Sequence, residues 1–96
     1  MADRIRVNYP ALEDMAKHCE MVAQRLAQTA ATSKKIAGQM QNGALMGEPG
    51  EAYVQALGLF FQRVTKLSNK YHEVANDIKQ AVADMRAADQ KAGSKF

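Results

Sequence analysis

One short segment rich in glycine and proline divides the 96-residue chain into two long stretches without an interior proline. This segment, residues 42–50, reads Asn-Gly-Ala-Leu-Met-Gly-Glu-Pro-Gly. Three glycines and a proline within nine residues disfavour a continuous helix or strand. The whole chain has only two prolines and six glycines, too few turn residues for a sandwich or barrel of many short strands. The pattern therefore predicts two long elements and one reversal of the chain.

The first stretch carries apolar or small side chains at alternating steps of three and four residues, the heptad pattern of packed helices. We call the two alternating rows a and d, and the row that directly follows d is e. The a and d rows are Leu12, Met15, Cys19, Val22, Leu26, Thr29, Ser33, Ile36 and Met40, and the e row is Ala16, Ala23, Ala30 and Ala37. Pro10 suits a helix start because its missing N–H would be unpaired there. We expect a helix over about residues 10–42.

The second stretch repeats these three rows. Its d row is Tyr53, Phe60, Leu67, Val74 and Ala81; its a row is Leu57, Val64, Tyr71, Ile78 and Met85; its e row is Val54, Phe61, Ser68, Ala75 and Val82. The pattern predicts a second helix over about 49–91. Residues 1–9 are then an extended lead-in, 43–48 a turn and 92–96 a flexible tail of one domain, since 96 residues are too few for two cores.

Two long amphipathic helices joined by a short turn predict an all-α fold, an antiparallel helical hairpin. The apolar stripe of each helix is wider than one neighbouring helix can cover, and leftover apolar surface commonly marks an association site. We therefore expect the hairpin to dimerise into a four-helix bundle. The expected interface residues are Tyr53, Phe60, Phe61, Leu67, Tyr71, Ala16, Ala23 and Ala30.

The charged and reactive residues argue against several functional classes. The net charge of +3 is spread over both halves of the chain, whereas a nucleic-acid binder usually concentrates its basic residues on one face. The single cysteine, Cys19, cannot form an internal disulfide, and neither His18 nor His72 is followed, three or four residues later, by the second ligand of a zinc-binding helix. No nucleophile–base pair or phosphate-binding loop is present. We expect no enzyme activity, no catalytic residue, no metal, no cofactor and no nucleic-acid partner.

Membrane insertion and an ordinary secretory signal are also disfavoured. No run of residues approaches the ~20 apolar residues of a membrane span. The first fifteen residues contain five charged side chains, which differs from a cleavable signal peptide. We expect no stable membrane insertion.

The turn contains the most informative local pattern. Gly47 permits the positive φ that a sharp reversal can require, and Leu45 can close the open end of a bundle. Pro49 and Glu51 suit the start of the second helix. The alternative is that Leu45 and Gly47 form an ordinary helix–helix turn.

Length, heptads and turn together resemble the WXG-type, ESAT-like family of small proteins exported by type VII secretion, over about residues 5–92. The family's Trp-x-Gly corresponds to Leu45-Met46-Gly47, and its following Ala-aromatic pair corresponds to Ala52-Tyr53. Its C-terminal Tyr-x-x-x-Asp/Glu export signal corresponds to Met85-Arg86-Ala87-Ala88-Asp89. Both signature aromatic residues are replaced in this chain.

The resemblance implies a protein that is exported from a bacterial cytoplasm as a folded helical dimer, without a cleavable signal peptide. A secretion ATPase would drive the export. It implies a role as a secreted effector or as the partner of a larger toxin. The partner would be a second copy or a paralogous helical hairpin. Asp89 lies near a helix C-terminus, where the helix dipole disfavours a negative charge, and recognition by the export machinery would explain its position. The alternative is a cytosolic adaptor or chaperone that binds the helical leader of a larger secreted toxin.

Overall fold

The computed structural model of the protein describes residues 7–44 and 48–94. Helix α1 spans Tyr9–Gln39 and is followed by a π-helical turn over Met40–Ala44, and helix α2 spans Glu48–Ser94. The helices pack side by side with the start of α1 against the end of α2, and the molecule measures 74 × 21 × 14 Å. The predicted all-α antiparallel hairpin is confirmed.

The helix ends differ from the predicted bounds by a few residues. Helix α1 starts at Tyr9 because the side chain of Asn8 caps it, accepting a hydrogen bond of 3.0 Å from the amide of Ala11. Its α-helical hydrogen bonding ends at Gln39, and the chain continues as a π-helical turn, which commonly occurs as a single turn next to an α-helix.

Helix α2 is longer than predicted and includes part of the expected tail. It continues to Ser94, so Gly93 lies within the helix instead of ending it. The alanines that precede Gly93 have the highest helix propensity of any residue and sustain the last turns. The rest of the tail, 95–96, and most of the predicted lead-in, 1–6, lie outside the described residues.

The seam between the helices is built from small side chains. In α1 three alanines of the e row, Ala16, Ala23 and Ala30, are 1% to 5% exposed, and in α2 the most buried side chain is Ala75 at 0%. The hydroxyl of Ser68 donates a hydrogen bond of 2.7 Å to the carbonyl oxygen of Ala23 across the seam. Small residues let two helices approach closely, but they remove little apolar area from water. Among the described residues, no large side chain is completely buried.

Candidate association surface

The row that directly follows each a row, called b, faces the neighbouring helix on one side of the seam. Glu13 of α1 accepts a hydrogen bond of 2.6 Å from the guanidinium of Arg86, and Glu20 accepts one of 2.5 Å from the ammonium of Lys79. All four residues are b residues. The b rows of α1 and α2 therefore lie on one side of the hairpin, which we call the paired side.

Two further observations describe the paired side. The ammonium of Lys34, another b residue, lies 5.6 Å from the centre of the Phe61 ring, within the range of a cation–π contact. The hydrogen bond from Lys79 holds the pKa of Glu20 below its ordinary value, with smaller contributions from the charges of Lys79 and His72. The charges on this side are thus satisfied by the chain itself.

The d rows lie on the opposite side of the hairpin. In an α-helix, residues two positions apart are separated by about 160° around the axis, so both d rows point away from the paired side. Six large apolar side chains of these rows are 37% to 54% exposed, and they form what we call the apolar face. The apolar face consists of Met15, Ile36, Tyr53, Phe60, Leu67 and Val74.

The residues expected at an interface divide between the seam and the apolar face. The exposed set comprises Tyr53, Phe60 and Leu67 on the apolar face and Tyr71 beside it, at 37% exposure. Phe61 is half-buried against the paired side. The alanines expected to approach a second chain, Ala16, Ala23 and Ala30, are covered by α2 of the same chain.

The end of the hairpin that carries the export-signal-like residues has its own polar cluster. The hydroxyl of Tyr9, in α1, donates a hydrogen bond to the carboxylate of Asp89, and this bond raises the pKa of the Tyr9 phenol. The guanidinium of Arg86 lies 4.8 Å from the centre of the Tyr9 ring. Asp89 therefore has a partner within the hairpin, which offsets the unfavourable position expected for it. Met85 is half-buried nearby on the a row.

The polar pairs that join the helices were not predicted from the sequence. Glu13, Glu20, Lys79 and Arg86 share the b position, so comparing the charges of one heptad row between the two helices would have found them. Tyr9 was missed because the lead-in was expected to be extended. The two turn residues of interest, Leu45 and Gly47, lie outside the described residues.

The remaining features of the surface are modest. The hollow beside Tyr9 and Asp89 has a volume of about 310 Å³ and is an open groove between the helix ends. Within residues 7–44 and 48–94, no three potential metal ligands cluster together. The described helices contain no segment with the length and hydropathy to cross a membrane.

Comparison with known proteins identifies a family but no individual relative. The family profile WXG100, described as proteins of 100 residues with WXG, matches residues 4–90. No curated protein and no solved structure matches the chain significantly. The match covers most of the sequence, including both helices and the turn between them. The chain belongs to the WXG100 family, whose members are small helical proteins associated with type VII secretion.

Proposed function

We propose that this chain is exported by a type VII secretion system as a folded dimer of hairpins, which acts as a secreted effector or as the partner of a larger toxin. The apolar face carries this proposal. Single exposed apolar side chains are common in soluble proteins, but contiguous apolar surface usually marks a binding site. Here such side chains recur every seven residues along α2, from Tyr53 to Val74, with Met15 and Ile36 on the same face of α1.

The thin seam supports dimerisation independently. Its small residues bury little apolar area, whereas the large side chains of the d rows remain in water in one chain. Burying one such side chain stabilises an assembly by about 1.5–3 kcal/mol. A second hairpin laid on the apolar face would bury six of them on each chain and produce a four-helix bundle.

Export is the part of the proposal that rests on the family, and Asp89 is the residue through which we test it. Asp89 is exposed and lies one turn after Met85, in the register of the family's export signal. We expect Asp89→Ala to abolish secretion from a bacterial host with a working type VII system, while the purified variant keeps the sedimentation coefficient of the parent dimer. Met85→Tyr, which restores the family's aromatic residue, should keep or raise secretion.

Tyr9→Phe is the matched control for Asp89→Ala. It removes the hydroxyl that donates to Asp89 but leaves the carboxylate in place. If the carboxylate itself is recognised, Tyr9→Phe is secreted like the parent. If Asp89→Ala is also secreted like the parent, the export signal lies elsewhere and the cytosolic adaptor becomes the better proposal.

A further inference from the structure

A row of charges flanks the apolar face along the outer edge of α2. The g row directly precedes the a row and lies about 60° from d, on the side away from the seam. In α2 it carries two bases followed by two acids at intervals of seven, Arg63, Lys70, Asp77 and Asp84, and Lys91 occupies the last g position beyond these four. All four side chains are exposed.

Among the described residues, the four charges from Arg63 to Asp84 form no ion pair within the hairpin. Both ion pairs found in the described part of the chain lie on the paired side, away from the g row. Asp84 accepts a hydrogen bond of 3.0 Å from the amide of Gln80, which carries no charge. Residues 63–84 of the g row therefore present a positive half and a negative half to whatever covers the apolar face.

We propose that, in the dimer proposed above, four g-row charges of α2 set the register of the two hairpins and select a second copy of this chain as the partner. When two copies of α2 run in opposite directions over their d rows, the two g rows face each other. Arg63 then lies opposite Asp84 of the second copy, and Lys70 lies opposite Asp77. The twofold symmetry of such a dimer makes each pair occur twice.

The midpoint of the charge pattern lies close to the middle of α2, which is where two hairpins that overlap along their full length need it. Both pairs are centred between Glu73 and Val74, within a few residues of the middle of α2, Glu48–Ser94. A register fixed by these charges therefore overlaps the two hairpins along almost their full length. A pattern centred near either end would have left half of each apolar face uncovered.

The sizes of the d-row side chains fit the same register. Large residues occupy the half of α2 next to the turn, and the d positions of the other half are the exposed residues Ala81 and Ala88. In the antiparallel register Leu67 lies opposite Ala81 of the second copy, and Val74 lies opposite its own counterpart. A core is filled without voids when large side chains of one helix face small side chains of the other.

The parallel arrangement of two copies is less favourable. It places α2 of one copy over α1 of the other, so the g rows of α1 and α2 meet. Arg25 is the only Lys or Arg on the g row of α1, and that row has no acid. The contacts between α1 and α2 place Arg25 at about the level of Lys70, so two bases would meet.

This inference depends on the dimer proposed above, so its test first measures whether the parent chain is dimeric. The register is then tested with single cysteines in a Cys19→Ser background and a bis-maleimide that spans the ~8–10 Å between packed helices. Val74→Cys lies at the twofold axis and should crosslink to its own copy. Phe60→Cys should not, because its counterpart lies about 40 Å away along the bundle.

Partner selection is tested by reversing charges on the g row. The double variant Arg63→Glu/Lys70→Glu makes these four positions wholly acidic, and Asp77→Lys/Asp84→Lys makes them wholly basic. We expect each alone to dimerise about 10- to 100-fold more weakly, since four favourable pairs become like-charge pairs. An equimolar mixture should recover the affinity of the parent, because all four pairs are restored between the two variants.

The control is Lys35→Glu/Lys66→Glu, which changes the net charge as much as the acidic variant does, at exposed positions off the g row. It should dimerise within about threefold of the parent. A dimeric parent in which Phe60→Cys crosslinks as well as Val74→Cys, or in which the control loses as much affinity as the acidic variant, overturns the register and leaves the dimer standing. A monomeric parent overturns both the dimer and this inference.

Discussion

The paired side and the apolar face are built from the same two helices, yet only on the paired side do the side chains find charged partners within the chain. On the paired side, Glu13 and Glu20 reach Arg86 and Lys79 across the seam. On the other side, residues such as Phe60 and Leu67 extend into solvent with about half of their surface exposed. The hairpin thus pairs charges of its two helices with each other on one side, whereas it leaves large apolar side chains of the d rows exposed on the other.

The two sides also differ in what their charges can specify. The b-row pairs join α1 to α2 and set how the helices align within one chain. Arg63, Lys70, Asp77 and Asp84 of the g row form no ion pair among the described residues, and in the proposed dimer they align a second copy. Exposed ion pairs each contribute little free energy, about 0–1 kcal/mol, so both sets act mainly on alignment and less on total stability.

The largest expected effect comes from placing a charge on the apolar face. Phe60→Glu should weaken dimerisation by about 30-fold or more, since an unpaired charge at the interface costs at least ~2 kcal/mol. Sedimentation equilibrium measures the change in dissociation constant. Leu59→Glu is the matched control, because Leu59 is 47% exposed but lies off the d row. Equal weakening by both variants would contradict the assignment of the d rows to the interface.

A smaller effect is expected from overfilling the seam. Ala75 is 0% exposed, and Ala75→Leu would force a large side chain between the helices at a cost of about 1–3 kcal/mol. For a domain of this size, each kcal/mol lowers the melting temperature by roughly 4–8 °C. Thermal unfolding followed by circular dichroism measures the shift.

Ala83→Leu is the comparison for that experiment, because Ala83 is exposed one position beyond the e row. Its melting temperature should stay close to that of the parent. If Ala75→Leu has the same melting temperature as Ala83→Leu, the seam can accept a large side chain. The two helices are then packed less tightly around Ala75 than its full burial indicates.

The smallest effect concerns the paired side and its dependence on pH. The pKa of Glu20 is lowered in the folded chain, so its ionised form favours folding at pH values above the ordinary glutamate pKa of ~4.3. This contribution is lost as the pH falls through the lowered pKa. When the pH is lowered from 7 to 3, the melting temperature of Glu20→Gln should therefore fall slightly less than that of the parent.

Glu73→Gln provides the control for the pH experiment, since Glu73 is exposed off the b row of α2. It should show the same pH dependence as the parent. An identical pH dependence of all three proteins would mean that the pair between Glu20 and Lys79 does not contribute to folding in solution.

Much of the fold follows from local patterns that a sequence displays directly. The heptad rows specify helices because only a helix places residues three and four apart on one face, and the breaker at 42–50 specifies one reversal. The extent of α2 was harder to predict. A glycine such as Gly93 often lies at a helix end, but the alanine-rich residues before it sustain the helix to Ser94.

The candidate site was predicted less completely than the fold. The sequence identified Phe60 and Leu67 as interface candidates, and both are exposed on the apolar face. It grouped them with the alanine row, which the hairpin covers itself. It placed Asp89 at an unfavourable position near a helix C-terminus but did not predict its contact with Tyr9, because that contact joins residues 80 positions apart.

By itself, then, the sequence determined two amphipathic helices, their reversal and an apolar stripe too wide for one hairpin. Only the tertiary structure decided which part of that stripe is used within the chain. The a, d and e rows are similarly apolar, so hydrophobic pattern leaves the rotation of each helix about its axis undetermined. Packing resolves it, because the small e-row residues let the helices approach most closely along that row, and the large d-row side chains are consequently turned outward.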